Sequence, residues 1–134
     1  MPRLSIIIPC FNCESHILNL LRVIDLQLNE YVEVVLINDG SKDNTEAVID
    51  QFIKENNKSA LYHLFTFENQ GAALSRAKGL ELARGEFIFY IDSDDLIADN
   101  SIEEIFRQIE NKPDVIYFSS IMNFTLEKRK SYKI

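Results

Sequence analysis

Two patterns of hydrophobic and polar residues alternate along the chain: short apolar runs, and longer segments with apolar residues at helical spacing. The apolar runs predict five strands, of which the first has the β-branched composition typical of burial on both faces. Because predicted strands and helices alternate, we expect right-handed βαβ units and a Rossmann-like, mostly parallel sheet flanked by helices. The five predicted strands are Leu4–Pro9, Val32–Asn38, Leu61–Phe67, Glu86–Asp92 and Asp114–Phe118.

Four helices are predicted between these strands. The first carries an apolar stripe from Ile17 to Leu28, the third covers Gly71–Ala83, and the fourth ends before Pro113. Residues with capping chemistry lie near the expected ends of all four. The predicted caps are Asn12 for the first helix, Asp43 with Glu46 for the second, Gly85 for the third, and Ser101 with Glu104 for the fourth.

Composition favours one folded domain over residues 1–134. Hydrophobic residues make up 46% of the 134 residues, which is enough for a core and argues against a disordered chain. The net charge of −7 argues against a nucleic-acid binder, which usually presents a basic face.

Cys10 and Cys13 form a C-x-x-C pair, a spacing found in zinc and redox sites. A structural zinc site needs two further ligands, and there is no second cysteine pair. We therefore interpret them as two reduced cysteines near a turn. Reduced cysteines and the absence of a signal peptide or an apolar run of about 18 residues predict a cytoplasmic location, at the inner face of the membrane if the chain associates peripherally.

Carboxylates follow two of the predicted strands at their carboxyl ends. Asp39 ends the second strand, and the run Asp92–Asp95 ends the fourth. In a parallel α/β sheet, ligands bind at this edge. Crowded carboxylates repel one another unless a cation neutralises them, and Mg²⁺ or Mn²⁺ binds one or two carboxylates together with water and phosphate oxygens. A metal-bridged diphosphate fits this edge; a solvated acidic turn is the alternative.

Other acidic or phosphate-binding motifs fit poorly. An EF-hand loop starting at Asp92 would require glycine where Ile97 stands. The sequence has no Walker A motif, and its four glycines do not form G-x-G-x-x-G. Asn69-Gln70-Gly71 precedes the third helix, where an N-terminus attracts anions, and Arg76 lies inside that helix. Arg76 is either a phosphate- or base-binding residue or an ordinary solvated arginine.

Four segments together resemble the family 2 glycosyltransferases of the GT-A fold, over roughly residues 4 to 118. Their order and spacing match the nucleotide-sugar-binding portion of that family. The segments are Ser5–Phe11 (SIIIPCF), Leu36–Thr45 (LINDGSKDNT), Asn69–Lys78 (NQGAALSRAK) and Phe89–Asp95 (FYIDSDD).

This resemblance implies roles for individual residues. The donor would be a nucleoside diphosphate sugar, most simply a UDP-sugar, with Mn²⁺ or Mg²⁺ as cofactor. Asp92-Ser93-Asp94 would be the D-x-D element, in which Asp92 faces the ribose or metal, Ser93 contacts the nucleotide, and Asp94 binds the metal with Asp95 as support. The nucleotide-binding residues would also include Pro9 and Phe11, which flank the nucleotide, Asp39, which hydrogen-bonds the base, and Arg76.

One part of the family pattern is not matched. Members of the family are inverting enzymes in which a downstream carboxylate deprotonates the acceptor hydroxyl, and no residue here corresponds to that base. We therefore expect a truncated GT-A domain that lacks its acceptor-binding half. The saccharide or lipid-linked acceptor stays unspecified, and a non-catalytic nucleotide-sugar-binding module is the alternative function. Exposed apolar residues at 115–134 also predict self-association.

Overall fold

A computed structural model describes residues 1–116, 119–125 and 128–133. The chain divides into two compact units, Met1–Ser101 and Ile102–Ile134. The first unit contains four strands and three helices, in an order that alternates as the sequence predicts. These are β1 (Leu4–Cys10), α1 (Ile17–Asp25), β2 (Val32–Asp39), α2 (Thr45–Glu55), β3 (Tyr62–Phe67), α3 (Ala72–Leu82) and β4 (Phe87–Tyr90).

The four strands of the first unit form one parallel sheet in the order β3-β2-β1-β4. The two central strands, β1 and β2, are almost completely buried, as their mainly apolar sequences predict, and their polar residues are buried with them. Successive strands are added toward one edge of the sheet up to β3, and β4 is added at the other edge, beside β1. Right-handed crossovers therefore put α1 and α2 on one face of the sheet and α3 on the other. The predicted Rossmann-like sheet flanked by helices is therefore confirmed.

Helix α3 approaches the sheet closely because small residues face it. It buries Ser75 and Gly79, and a Cβ at Gly79 would lie 2.3 Å from the side chain of Ile7. The adjoining core consists of Ile7, Val35 and Ile37. This close contact brings the N-terminus of α3 near the carboxyl ends of β1 and β2.

The second unit contains all of α4 except its first residue, Ser101, together with a two-stranded antiparallel sheet. Helix α4 covers Ser101–Ile109 and buries three isoleucines, Ile102, Ile105 and Ile109. The strands are β5 (Ser119–Thr125) and β6 (Lys128–Lys133). None of the described helices is long and apolar enough to cross a membrane.

The predicted fifth strand, Asp114–Phe118, is wrong where the structure describes it. Residues 114–116 belong to no strand, and Phe118 lies outside the described residues. Val115 is 62% exposed, so this run does not provide the buried side chains expected of a central strand. None of the predicted strands covers the charged segment Lys128–Lys133, which forms β6. Strand pairing uses backbone groups, which the charged side chains do not reveal.

The predicted helix caps are also wrong. Helix α1 begins at Ile17, well after Asn12. Helix α2 begins at Thr45, and the side chain of Asp43 accepts a hydrogen bond from the Thr45 amide instead of forming a capping box with Glu46. The hydroxyl of Ser101 donates to the Ala98 carbonyl. In each case the polar side chain bonds a nearby loop or turn, an alternative that competes with capping.

Glu104 and Gly85 have other roles than the sequence predicts. Glu104 accepts hydrogen bonds from Arg107 and Gln108, one turn further along α4. Gly85 is not a helix cap, since Ala83 is the C-cap of α3. A Cβ on Gly85 would lie 2.6 Å from the Ser5 amide, so glycine is required there by close contact with β1.

The buried carboxylate of Glu33 joins three segments at the edge of the sheet where β1 and β2 begin. Glu33 is 2% exposed and accepts hydrogen bonds from the Ser5 hydroxyl (2.6 Å) and from the amide (2.5 Å) and Nε (3.1 Å) of Arg84. Burial raises the pKa of Glu33, but the hydrogen bonds from Ser5 and Arg84 outweigh it and hold the pKa below its ordinary 4.5.

We predict that Glu33→Gln lowers the free energy of unfolding by about 1.5–3 kcal/mol, because the amide removes charge-assisted hydrogen bonds in a buried place. Urea denaturation measures the change. Since folding lowers the pKa of Glu33, its stabilisation is present above about pH 4.5 and is lost as pH falls through the folded pKa. Glu46→Gln on the exposed face of α2 is the control, expected within about 0.5 kcal/mol of the parent. Equal losses in both variants would contradict the prediction.

Candidate functional site

A cleft of about 640 Å³ opens at the carboxyl edge of the sheet in the first unit. The segments that follow β1, β2, β3 and β4 all contribute to it, as expected where parallel strands end together. Its lining residues are Pro9, Cys10, Phe11, His16, Asp39, Asn69, Gly71, Ala72, Ser75, Arg76, Asp92, Ser93 and Asp94.

All seven residues that the sequence singles out as nucleotide or metal contacts are among these lining residues. Asp95, expected to support them, is not. Four further lining residues, for which the sequence predicts no role, are Cys10, His16, Ala72 and Ser75. Of these, Ser75 could have been found from the helical spacing, since it lies one turn before Gly79 on the buried face of α3.

Asp39 is the buried centre of the site. It is 5% exposed, and its two carboxylate oxygens accept hydrogen bonds from the amides of Gln70 (2.8 Å) and Gly71 (2.9 Å). The Asn69 side chain donates to the Asp39 carbonyl at 3.1 Å. Asp39 therefore fixes the loop that begins α3, and each carboxylate oxygen retains a lone pair that can accept a further hydrogen bond.

Close packing of two backbones explains part of this loop. Gly40 has φ +66°, and a Cβ there would lie 2.7 Å from the Asn69 amide. Gly71, the N-cap of α3, has φ +93° and open space around it. Glycine is thus required at position 40 by contact as well as by conformation, and at position 71 by conformation.

An ion pair lies in the cleft between α3 and the acidic loop after β4. Arg76 Nη2 is 2.5 Å from Asp92 Oδ1, and the two side chains are 38% and 53% exposed. A pair this exposed contributes little to stability, on the order of 0–1 kcal/mol. It can therefore separate at low cost when another ligand competes for either partner.

The acidic loop keeps its carboxylates close together. Asp92, Asp94 and Asp95 are all exposed. Partial burial and the neighbouring charges of Asp94 and Asp92 raise the pKa of Asp95. Among the described residues, no three or more His, Cys, Asp or Glu side chains are grouped so that they could hold a metal ion. Asp92 and Asp94 fit a cation only if water or ligand oxygens complete its coordination, as is usual for Mg²⁺.

The end of β1 and the segment after it also line the cleft, through Pro9, Cys10, Phe11 and His16. Phe11 is 50% exposed although it is a large aromatic side chain. Cys10 and Cys13 are buried and form no disulfide. A hydrogen bond from Cys10 lowers the pKa of Cys13 to about 7, while the pKa of Cys10 is raised. The cleft thus combines an aromatic wall, a buried hydrogen-bond acceptor and an exposed acidic rim.

Comparisons with known proteins agree on one family. The model of glycosyl transferase family 2 matches residues 5–133. The glycosyltransferase GlyG of Streptococcus pneumoniae is 30% identical over 122 residues, which cover 90% of this chain and 40% of GlyG. The putative glycosyltransferase EpsH of Bacillus subtilis is 33% identical over 126 residues, covering 94% of this chain and 35% of EpsH.

A solved structure is similar over the same region. Residues 1–349 of S. aureus TarS, in complex with UDP-GlcNAc, superimpose with a TM-score of 0.71 at 27% identity. The match covers 83% of this chain and 32% of that one. The chain therefore spans 40% of the length of GlyG, 35% of EpsH and 32% of this TarS structure.

We predict that Asp39→Ala weakens the structure around the start of α3. Removing the acceptor that the amides of Gln70 and Gly71 share should lower the free energy of unfolding by about 1.5–3 kcal/mol. Amide hydrogen exchange at Gln70 and Gly71 should accelerate in the folded variant. Asp50→Ala, which removes an exposed pair with Lys54 on α2, serves as the control. Unchanged protection of both amides in the Asp39 variant would refute the role assigned to Asp39.

Proposed function

The chain belongs to glycosyl transferase family 2, and from this we propose that its cleft binds the nucleoside diphosphate of a sugar donor, UDP above all, together with a divalent cation. The observation that carries the proposal is the meeting of a buried acceptor, Asp39, and two exposed carboxylates, Asp92 and Asp94, in one cleft. Such a cleft offers a hydrogen-bonding partner for a base at one end and charge for a metal-bound diphosphate at the other.

The base would occupy the end of the cleft between Phe11 and Asp39. A half-exposed aromatic ring offers a stacking surface, and Pro9 extends the apolar wall beside it. The free lone pairs of Asp39 can accept a hydrogen bond from the imide N–H of uracil. The complex of TarS with UDP-GlcNAc supports uridine as the first choice.

The diphosphate would lie toward Arg76 and the acidic loop. Arg76 can leave its exposed pair with Asp92 to contact the nucleotide, and Ser93 supplies a hydroxyl beside it. Asp94 and Asp92 would hold Mn²⁺ or Mg²⁺, with Asp95 behind them. When bound, the cation would stabilise the negative charge that develops on the leaving diphosphate.

The reaction would be a single displacement with inversion. An acceptor hydroxyl, on a saccharide or a lipid-linked saccharide, attacks the anomeric carbon as the bond to the diphosphate breaks. A general base must take the hydroxyl proton. The carboxylates among the described cleft residues are Asp39, Asp92 and Asp94, which the proposal already uses for base and metal.

Because Asp39, Asp92 and Asp94 are already assigned to the base and the metal, a second candidate function is a nucleotide-sugar-binding module that does not transfer sugar by itself. The chain covers only 40% of GlyG and 35% of EpsH, so most of the length of each relative lies outside the match. Donor binding is common to both candidates, and sugar transfer separates them.

We predict that UDP binds at least about 100-fold more tightly with Mn²⁺ than in EDTA. The diphosphate otherwise faces carboxylates at close range, which costs on the order of a few kcal/mol. Calorimetry with UDP and GDP, each with and without Mn²⁺, measures both metal dependence and base preference. Asp94→Asn should remove most of the metal dependence, and Asp99→Asn, outside the cleft, should not. Equal UDP affinity in EDTA and in Mn²⁺ would contradict the assignment of Asp92 and Asp94 as metal ligands.

We further predict that these 134 residues bind donor without rapid transfer. General-base catalysis supplies about 10²–10⁴-fold, and acceptor positioning supplies more. Incubation with labelled UDP-sugars and mixed acceptors tests transfer, and light scattering of the same sample records association. Rapid, acceptor-dependent turnover by a monomer would show that a base among the present residues has been overlooked.

A further inference from the structure

Two loops at the cleft are joined to each other by side-chain hydrogen bonds. One follows β1 and the other follows β2, and both precede helices on the same face of the sheet. Six hydrogen bonds connect them, and one of these runs from the Thr45 hydroxyl to Cys13 Sγ (3.9 Å). The other five run from Asn12 N to Ser41 Oγ (3.0 Å), Cys13 N to Thr45 Oγ1 (2.8 Å), Glu14 N to Asp43 Oδ2 (3.3 Å), Lys42 N to Asn12 Oδ1 (2.8 Å) and Asp43 N to Asn12 Oδ1 (3.4 Å).

Asn12 is the central residue on the β1 side. Its φ of +46° is left-handed, a conformation that asparagine tolerates better than most residues. Its amide donates to one loop residue, and its side-chain oxygen accepts from two others, Lys42 and Asp43. One residue thus turns the chain and satisfies three backbone or side-chain groups of the neighbouring loop.

Asp43 has the same function on the β2 side. Beyond the amide of Glu14, it accepts the amide (3.0 Å) and hydroxyl (2.6 Å) of Thr45. Thr45 in turn accepts the amide of Cys13. Neither Asn12 nor Asp43 lines the cleft, so neither is placed to touch a ligand there.

The turn at Asn12 determines where its neighbour Phe11 stands. Phe11 remains 50% exposed on the cleft wall, although burying an aromatic ring is favourable. The six hydrogen bonds between the loops resist the loop movement that would bury it. We propose that Asn12 and Asp43 are positioning residues, which hold the Phe11 ring at the cleft in the place where a nucleotide base can stack on it. This inference rests on the proposed function.

A double-mutant cycle separates positioning from general stability. Phe11→Ala should weaken UDP binding in Mn²⁺ about 5- to 100-fold, the range for one lost base–aromatic stack. Asn12→Gly keeps the left-handed backbone but removes the side-chain acceptor, and should weaken binding at least about 3-fold. In the Phe11→Ala background, Asn12→Gly should cause almost no further loss, because the ring that it positions is gone.

Matched variants complete the test. Asn57→Gly changes another left-handed asparagine (φ 51°), remote from the cleft, and should leave UDP affinity unchanged. If Asn12→Gly does not fold, Asp43→Ala takes its place in the cycle, and Asp43→Asn, which retains one acceptor oxygen, should recover part of the affinity. Parent-like UDP affinity in the folded loop variant, or an equal loss with and without Phe11, would overturn the inference. Failure of the parent chain to bind UDP would instead overturn the proposed function.

Discussion

The parallel pairing of β1 with both β2 and β4 is the constraint on which the rest of the structure depends. It brings the carboxyl ends of three strands to one edge, where residues far apart in sequence share a cleft. Pairing alone would leave the loops at that edge free to separate. The buried carboxylate of Asp39 ties the start of α3 to the end of β2, and the hydrogen bonds around Asn12 tie the first two loops together. The cleft is thus defined by the sheet and given its shape by polar contacts between loops.

The sheet could be predicted from sequence because its signal is local. Unbroken apolar runs such as Leu4–Pro9 reveal burial on both faces, and alternation with helices then implies parallel order. The predicted caps failed because Asn12, Asp43 and Ser101 have side chains that can bond either a helix end or a loop. For Asn12 a tertiary contact decides, since Lys42 lies 30 residues away, whereas Ser101 bonds the carbonyl of Ala98 close by in the chain. The prediction of Gly85 as a helix cap failed for a similar reason, because Gly85 is in close contact with β1, a strand distant in sequence.

The site could be predicted as a set of residues but not as an arrangement. Strand ends identify Asp39, Asp92 and Asp94, since topology brings them to the same edge. Nothing local shows that Asp39 already accepts two amides or that Arg76 pairs with Asp92. These contacts depend on the packing of α3, and therefore on Gly79, which lets the helix approach Ile7. Sequence thus identified the chemical groups, while helix packing determined their partners.

Burial divides similar carboxylates into different roles at this edge. Asp39 is shielded from water, and backbone amides satisfy its charge, so it can offer a directed lone pair without attracting a cation. The carboxylates after β4 are exposed. Partial burial and the charges of Asp94 and Asp92 raise the pKa of Asp95, and Arg76 neutralises Asp92 only through an exposed pair. An exposed pair exchanges partners easily, whereas a buried and hydrogen-bonded carboxylate does not. The rigid acceptor suits recognition of a base, and the adaptable rim suits a ligand that brings its own charge and its own cation.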